Sequence, residues 1–395
     1  MTAEVVVMNT SAIAMAADTA VSVSYQTGTK TYTRARKLLP LHKTQPVAVM
    51  VWDTPGYCAL PWEVIVGEFR RENAEILPKL DDYVDAFFQF VDGQAVKWVT
   101  RNDEMALLGE VLNPEIQLLE EAWSARLHGP DRPSSEAAVV AVAAEVGRAF
   151  VGTTRQRYLP TNMCTGRETG ELTFLDANVE KLLTKGAPDI WKHLNRGLRA
   201  QLIELGRERI LHIIGDEPGS SGLVFAGYGK DELFAQARVW RVNGQLDSKN
   251  RRVLRNTFSI STAHPSLILP VAQEGVIHSF LKGLHPEVNR LVSDIVDDLA
   301  SQFADGVTLA REIKEQFDAA VSKRGDEVAR AVEFLPPDDL AMVAGGLIHM
   351  TALRNRATIT ADTVGGPIDL LLLSRADGIR WIELAEGFRP DRDER

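Results

Sequence analysis

The first segment of the chain constrains its fold more than any other. Val5, Val6 and Val7 form a β-branched run, Asn9-Thr10-Ser11 a tight turn, and Ala12-Ile13-Ala14-Met15-Ala16-Ala17 a second apolar run ending in Asp18. β-Branched residues favour extended backbone, and Asn and Ser favour turns, so the segment is predicted to be a buried hairpin. A further strand is predicted over Thr31 to Leu38, and it carries Lys37. Alternation along a strand puts Arg36 and Lys37 on opposite faces, one solvated and one inward. Removing the initiator Met, which a small second residue permits, makes Thr2 the amino terminus. A hydroxyl and a free α-amine then share one residue, with a carboxylate and an ammonium on neighbouring strands. That is the layout of an N-terminal threonine nucleophile. Taken singly the residues have plainer readings: Thr2 as a terminal residue, Asp18 as a strand cap or the partner of an arginine.

Other chemistries leave little trace. The chain has 395 residues, 45% hydrophobic and 25% charged, enough for a sizeable core and for two or three domains. Its net charge of −10 argues against a nucleic-acid surface. Cys58 and Cys164 are the only cysteines, so no disulfide framework or CxxC motif exists, and a reducing cytoplasm is expected. The N-terminus lacks the basic and apolar regions of a secretory signal. No apolar run reaches the length expected of a membrane span, so no membrane partner is expected. Gly227-Tyr228-Gly229 lacks the third glycine of a dinucleotide loop, and Gly219-Ser220-Ser221-Gly222 is not a nucleophile elbow. The eight histidines form no HExxH motif and pair with no cysteine at zinc spacing, so no metal and no cofactor is expected.

Along the chain, Val47 to Trp52 reads as a buried strand. Trp62, Ile65, Val66 and Phe69 share one face of a helix. Helical patterns then run from Leu80 through Met105–Leu127, Pro133–Phe150 and Leu175–Leu183 to Ile190–Ile210. Strands resume at Ile210 to Ile214, Leu223 to Gly229 and Ala237 to Val242, with Asn243-Gly244 as a hairpin turn, and again at Asn256 to Ser261. Ile268 to Leu284 is read as a helix, as is Leu340 to Asn355 behind Pro336-Pro337-Asp338-Asp339. Gly365-Gly366 makes a turn into the strands Ile368 to Leu373 and Ile379 to Ile382, and a charged tail follows. The pattern as a whole is that of an α+β chain with strands at both ends and in the middle.

On these residues the chain resembles the proteasome β-subunits and their bacterial relatives in the N-terminal nucleophile (Ntn) hydrolase superfamily. Thr2 falls on that family's nucleophile. Asp18, sixteen residues further on, falls on its strand-end aspartate, and Lys37 on its buried lysine after a short insertion. Asp362-Thr363-Val364-Gly365-Gly366 looks like its Asp-x-x-Ser-Gly-Gly turn, with Gly365 in place of the serine. The resemblance implies a four-layer αββα sandwich over residues 1–75, 211–284 and 335–390. Helical insertions are expected over 76–210 and 285–334. It implies that Asp362 orients the terminal amine, although a plain turn aspartate reads equally well. It also implies a serine at the start of the central helix, for which Ser261 and Ser266 are both near. At the family's glycine-rich oxyanion position stands Trp52-Asp53, a carboxylate that would oppose developing negative charge.

The function implied is a threonine hydrolase that cleaves a peptide or small amide substrate through an acyl-enzyme. A catalytically silent structural subunit and a non-peptide amidase are the alternatives. A homo-oligomer is expected, and the sequence names no unfoldase partner.

Overall fold

The computed structural model describes residues 3–383, apart from 26–27, 33, 59, 96, 131, 159–160, 162, 167, 216, 218, 248, 304–305 and 359–365. The strands in chain order are β1 (Glu4–Asn9), β2 (Ala12–Asp18), β3 (Val21–Tyr25), β4 (Gly28–Tyr32), β5 (Leu38–Pro40), β6 (Val47–Asp53), β7 (Gly56–Tyr57) and β8 (Leu60–Pro61). Helices α1 (Trp62–Glu72), α2 (Leu80–Ala95), α3 (Arg101–His128), α4 (Glu136–Tyr158), α5 (Asp176–Gly186), α6 (Pro188–Trp191) and α7 (Arg196–Ile210) follow. Then come β9 (Ser221–Gly227), β10 (Gln236–Leu246), β11 (Lys249–Ser259) and β12 (Ser266–Ala272). Helices α8 (Glu274–Lys282), α9 (Pro286–Ala300), α10 (Gly306–Glu333) and α11 (Pro337–Ala357) lead to β13 (Ile368–Ser374) and β14 (Gly378–Glu383).

Two five-stranded antiparallel sheets organise the molecule. One has the order β12-β1-β2-β13-β14, the other β11-β10-β9-β6-β5. Each strand of the predicted N-terminal hairpin is apolar on both faces because both faces are covered. Val6, Met8, Ile13 and Met15 pack across the sandwich on Met50, Val224 and Ala226, while Val5, Val7, Ala14 and Ala16 pack outward on Leu340, Ala344 and Ile348 of α11. On the far side, Val49, Val51 and Phe225 of the second sheet pack on Trp62, Ile65 and Phe69 of α1 and Phe87 of α2. The fold is therefore an α+β, four-layer αββα sandwich, and the expected class is observed. The face Trp62, Ile65, Val66 and Phe69 is buried as its spacing requires.

Helices α3 to α7 close around a separate apolar core that includes Leu119, Trp123, Leu172 and Ile190. Among the described residues, α4 is the one helix long and apolar enough to cross a membrane by length and composition, which corrects the expectation that no apolar run reaches that length. It packs Ala143, Val146 and Val151 into this core, and Glu145 and Arg148 interrupt its apolar run.

Four further sequence expectations are corrected. Ile268 to Leu284 is not one helix. Its first part is β12, an edge strand on β1, which is where Pro270 costs no ladder hydrogen bond. Asn243-Gly244 is not the hairpin turn. The strands continue past it to the pair Leu246↔Lys249, and the register shifts between Val242 and Gln245, so Asn-Gly forms a bulge. Ile210 to Ile214 is not a strand, because Arg251 takes the carbonyls of Ile210 (2.8 Å) and His212 (3.0 Å). The strand predicted over Thr31 to Leu38 is interrupted. Ala35 N–H bonds to Thr19 O of the first sheet's side (2.9 Å) and Lys37 O accepts from Val51 N–H of the second (2.9 Å), so the residues leading into β5 bridge the sheets, and only Leu38 enters the second as the start of β5.

Candidate functional site

The site lies at the end of the sandwich where β1 begins and β2 ends. The two strands are in register from Glu4↔Ala17 to Met8↔Ile13, which carries Ala3 alongside Asp18. Ala3 N–H donates to Asp18 Oδ1 (3.0 Å), and Asp18 N–H returns a bond to Ala3 O (3.1 Å). The bridging segment delivers Lys37, whose Nζ donates to the same Asp18 Oδ1 at 2.6 Å. Asp18 is 1% exposed and Lys37 4%, so the pair is held away from water, where an ion pair is strongest and its loss most costly. Arg36 points elsewhere, to Glu63 at the start of α1 (3.6 Å). The expected opposition of Arg36 and Lys37 is thus present, although the interrupted strand, not simple alternation, produces it.

Two acidic residues that sequence reasoning passed over complete the buried charge. Glu4 is 0% exposed, and its Oε1 lies 3.6 Å from Lys37 Nζ. Asp369 of β13 is buried opposite Ala17, so Glu4, Ala17 and Asp369 form one row across the first sheet. The signal was present: a glutamate beside Val5-Val6-Val7 and an aspartate between Ile368 and Leu370 each interrupt a run that is otherwise wholly apolar. Buried carboxylates in such runs need a cationic or hydrogen-bonding partner.

The C-terminal turn comes to the same end of the sheet. Gly366 takes φ 82°, a left-handed conformation open to glycine. Pro367 O then accepts from Thr19 N–H (3.1 Å) and Thr19 Oγ1 (2.9 Å), and Ile368 pairs with Asp18. Thr2, Asp362 and Gly365 lie outside the described residues. Ser261 and Ser266 do not join the site. Ser266 pairs with Asn9 at the opposite end of β1 and donates to Ala329 O (2.6 Å), and Ser261 Oγ accepts from His264 N–H (3.1 Å) in a turn.

Asp53 at the end of β6 takes φ 63° and forms an ion pair with Arg241, whose guanidinium lies 5.2 Å from the centre of the Trp52 ring. The carboxylate that the sequence placed against catalysis is therefore balanced by a cation. This arrangement requires Gly222. It sits between Trp52 and Arg241 in the ladder, and a Cβ there would fall 1.8 Å from the indole. Ser221 anchors the turn that follows, donating to Thr54 O (2.8 Å) and accepting from Trp62 Nε1 (2.9 Å).

Neither thiol competes as a nucleophile. Burial by surrounding atoms and the nearby Asp103 carboxylate push Cys58 up to about 12, although the residue reaches the surface, and Cys164 is buried. Among the described residues, no group of three or more His, Cys, Asp or Glu is placed to hold a metal ion.

Fold and site together define a four-layer αββα protein with a Lys–Asp pair buried at the start of its first strand. No family model matches the chain, and no curated protein does. Among solved structures it is similar to an Anbu mutant from Hyphomicrobium sp. strain MC1, at 9% identity and a TM-score of 0.30, over 98% of this chain and 90% of that one. It is also similar to Anbu, an ancestral beta-subunit, from Yersinia bercovieri, at 10% identity and a TM-score of 0.28, over 96% and 87%. Likeness at this level assigns no family. The membership implied by Thr2, Asp18 and Lys37 is accordingly corrected: three matching positions in 395 residues are not accompanied by any family-wide match.

Proposed function

We propose that the chain is an amide hydrolase that uses Thr2 as its nucleophile once Met1 has been removed. The observation that carries this reading is the contact of Lys37 with Asp18, itself bonded to the backbone N–H of Ala3, the residue joined to Thr2. A buried ammonium fixed one residue from a terminal threonine supplies positive potential where an alkoxide would form. In this reading the Thr2 hydroxyl attacks the carbonyl carbon while the α-amine, of ordinary pKa about 8, takes the hydroxyl proton. The protonated amine gives that proton to the leaving nitrogen as the C–N bond breaks, leaving an ester on Thr2. Water then attacks the ester and regenerates the hydroxyl. Asp18 holds Lys37 in place, and Asp362 orients the amine. Peptides and small amides are the substrate class.

One observation favours a second reading, a silent structural subunit. Glu4 adds a second buried carboxylate beside Lys37 and reduces the positive potential available to an alkoxide. The two readings separate on mass spectrometry of the protein from its native source. The hydrolase reading expects a mass lacking Met1 and covalent capture of Thr2 by an electrophile specific for N-terminal threonine. Complete retention of Met1, or a free Thr2 that never reacts, rejects it in favour of the silent subunit.

A further inference from the structure

The hairpin of α9 and α10 buries little of its apolar surface. The two helices meet through small residues: Ala300, Gly306 and Ala310 are buried at the contact, and a Cβ on Gly306 would fall 1.6 Å from Ala300 O. Beside that contact, Val288, Leu291, Ile295 and Leu299 recur at three- and four-residue spacing along α9, and Leu309 and Ile313 do the same on α10. Each of these six side chains is between 44% and 57% exposed. At about 3.6 residues per turn, and with the helices antiparallel, both rows fall on the same side of the hairpin. The ion pair of Lys314 with Asp297 (2.5 Å) falls on the other side. The result is one continuous apolar face built by two helices.

Its size and its charge decide what covers it. Six half-exposed aliphatic side chains present on the order of 500 Å², as much as the largest patch of a typical monomer. Two such faces together would remove on the order of 1,000 Å² from water before their polar rims are counted, which reaches the range of specific interfaces. A membrane surface is a poor occupant. The polar positions of α9 carry Glu287, Asp294, Asp297 and Asp298 against Arg290 alone, and the chain has a net charge of −10, whereas helices that lie on anionic lipid are rich in Lys and Arg. We propose that this face seats a second copy of this chain through the same face, giving a two-fold, helix-on-helix interface. The proposal is independent of the reading of Thr2.

Sedimentation velocity across the micromolar range tests it, with the full-length chain. Wild type is expected to associate reversibly, as mass action requires of a homo-oligomer. Leu291→Glu combined with Ile295→Glu puts two charges at the centre of the face and is expected to weaken association by about a hundredfold or more. Both side chains are exposed, so helical circular dichroism and melting temperature should stay those of the monomer. Leu291→Met combined with Ile295→Leu keeps the face apolar and should keep the assembly. A wild type that stays monomeric overturns the proposal, as does a double glutamate variant that associates like wild type. Flotation of monomeric wild type with anionic or neutral vesicles, lost in the glutamate variant, overturns it in favour of a lipid surface.

Discussion

Lys37 carries one positive charge beside two buried carboxylates, Asp18 at 2.6 Å and Glu4 at 3.6 Å. Truncation of Lys37 therefore acts on rate and on stability together. Lys37→Ala should lower turnover, or labelling of Thr2, by about a hundredfold or more. It should also cost roughly 3–5 kcal/mol, because it strands buried negative charge. Arg36→Ala is the matched control. Its ion pair with Glu63 is long and partly solvated, so its loss should cost no more than about 0.5 kcal/mol and leave the rate unchanged. Glu4→Gln distinguishes the roles of the two carboxylates. If Glu4 dampens the field of Lys37 at the reacting oxygen, labelling of Thr2 should become several-fold faster than in wild type. An unchanged or slower rate would make Glu4 a structural partner of the lysine.

At the scale of elements, glycine placement separates two opposite outcomes. Gly222 in β9 lets the Trp52 ring lie across the ladder beneath Arg241. Gly222→Val should displace the indole, change tryptophan fluorescence and lower stability by about 1–3 kcal/mol, the cost of overpacking a filled site. Gly67 in α1 has no atom within 4 Å of the point where a Cβ would stand, so Gly67→Ala should instead stabilise by roughly 0.5–1 kcal/mol through helix propensity. Thermal melts read both, and a destabilising Gly67→Ala would mean that this helix face is covered. Elements whose neighbours are local were legible in the sequence: the hairpin of β1 and β2, the apolar face of α1, and α11 behind its prolines. Those whose state depends on a distant partner were not. The run that forms β12 has no strand alternation of its own and becomes a strand because β1 offers an edge, with Glu4↔Ala272 and Asn9↔Ser266 as its ends.

At the scale of the whole molecule, one buried network fastens the core of α3 to α7 onto the second sheet. Glu217 accepts from Arg209 of α7 (2.7 Å), Arg251 of β11 (3.3 Å) and Asn243 of β10 (2.8 Å). Burial alone would raise the Glu217 carboxyl, but Arg251 and Arg209 outweigh it and hold the group below its ordinary value. A carboxylate depressed in the folded state contributes stability that is fully present above its unfolded pKa, near 4.3, and is lost as pH falls through the lower folded value. Acid should therefore loosen this junction below about pH 4. Glu217→Gln should remove that part of the pH dependence and cost about 3 kcal/mol at neutral pH, because buried Arg251 loses its carboxylate while Arg209 keeps Glu115 at 3.4 Å. Melts of both proteins from neutral to acid pH check it, and a variant as stable as wild type at neutral pH would show that the network contributes nothing net.

Hydrophobic period and turn chemistry are local properties, which is why the α+β class and the N-terminal hairpin could be read along the chain, whereas alternation set Arg36 and Lys37 apart without saying which of them turns inward. Asp18 and Lys37 were legible as a pair only through the family resemblance; their 2.6 Å contact needs two sheets packed face to face. Glu4 and Asp369 were visible as interruptions in apolar runs, yet nothing local says which cation or donor meets them. The partner of Asp53 is Arg241, far along the chain on a strand two places across the second sheet, and no local pattern links them. Charge balance inside a protein is settled between segments distant in sequence, because a buried ion is tolerated only where packing brings its complement.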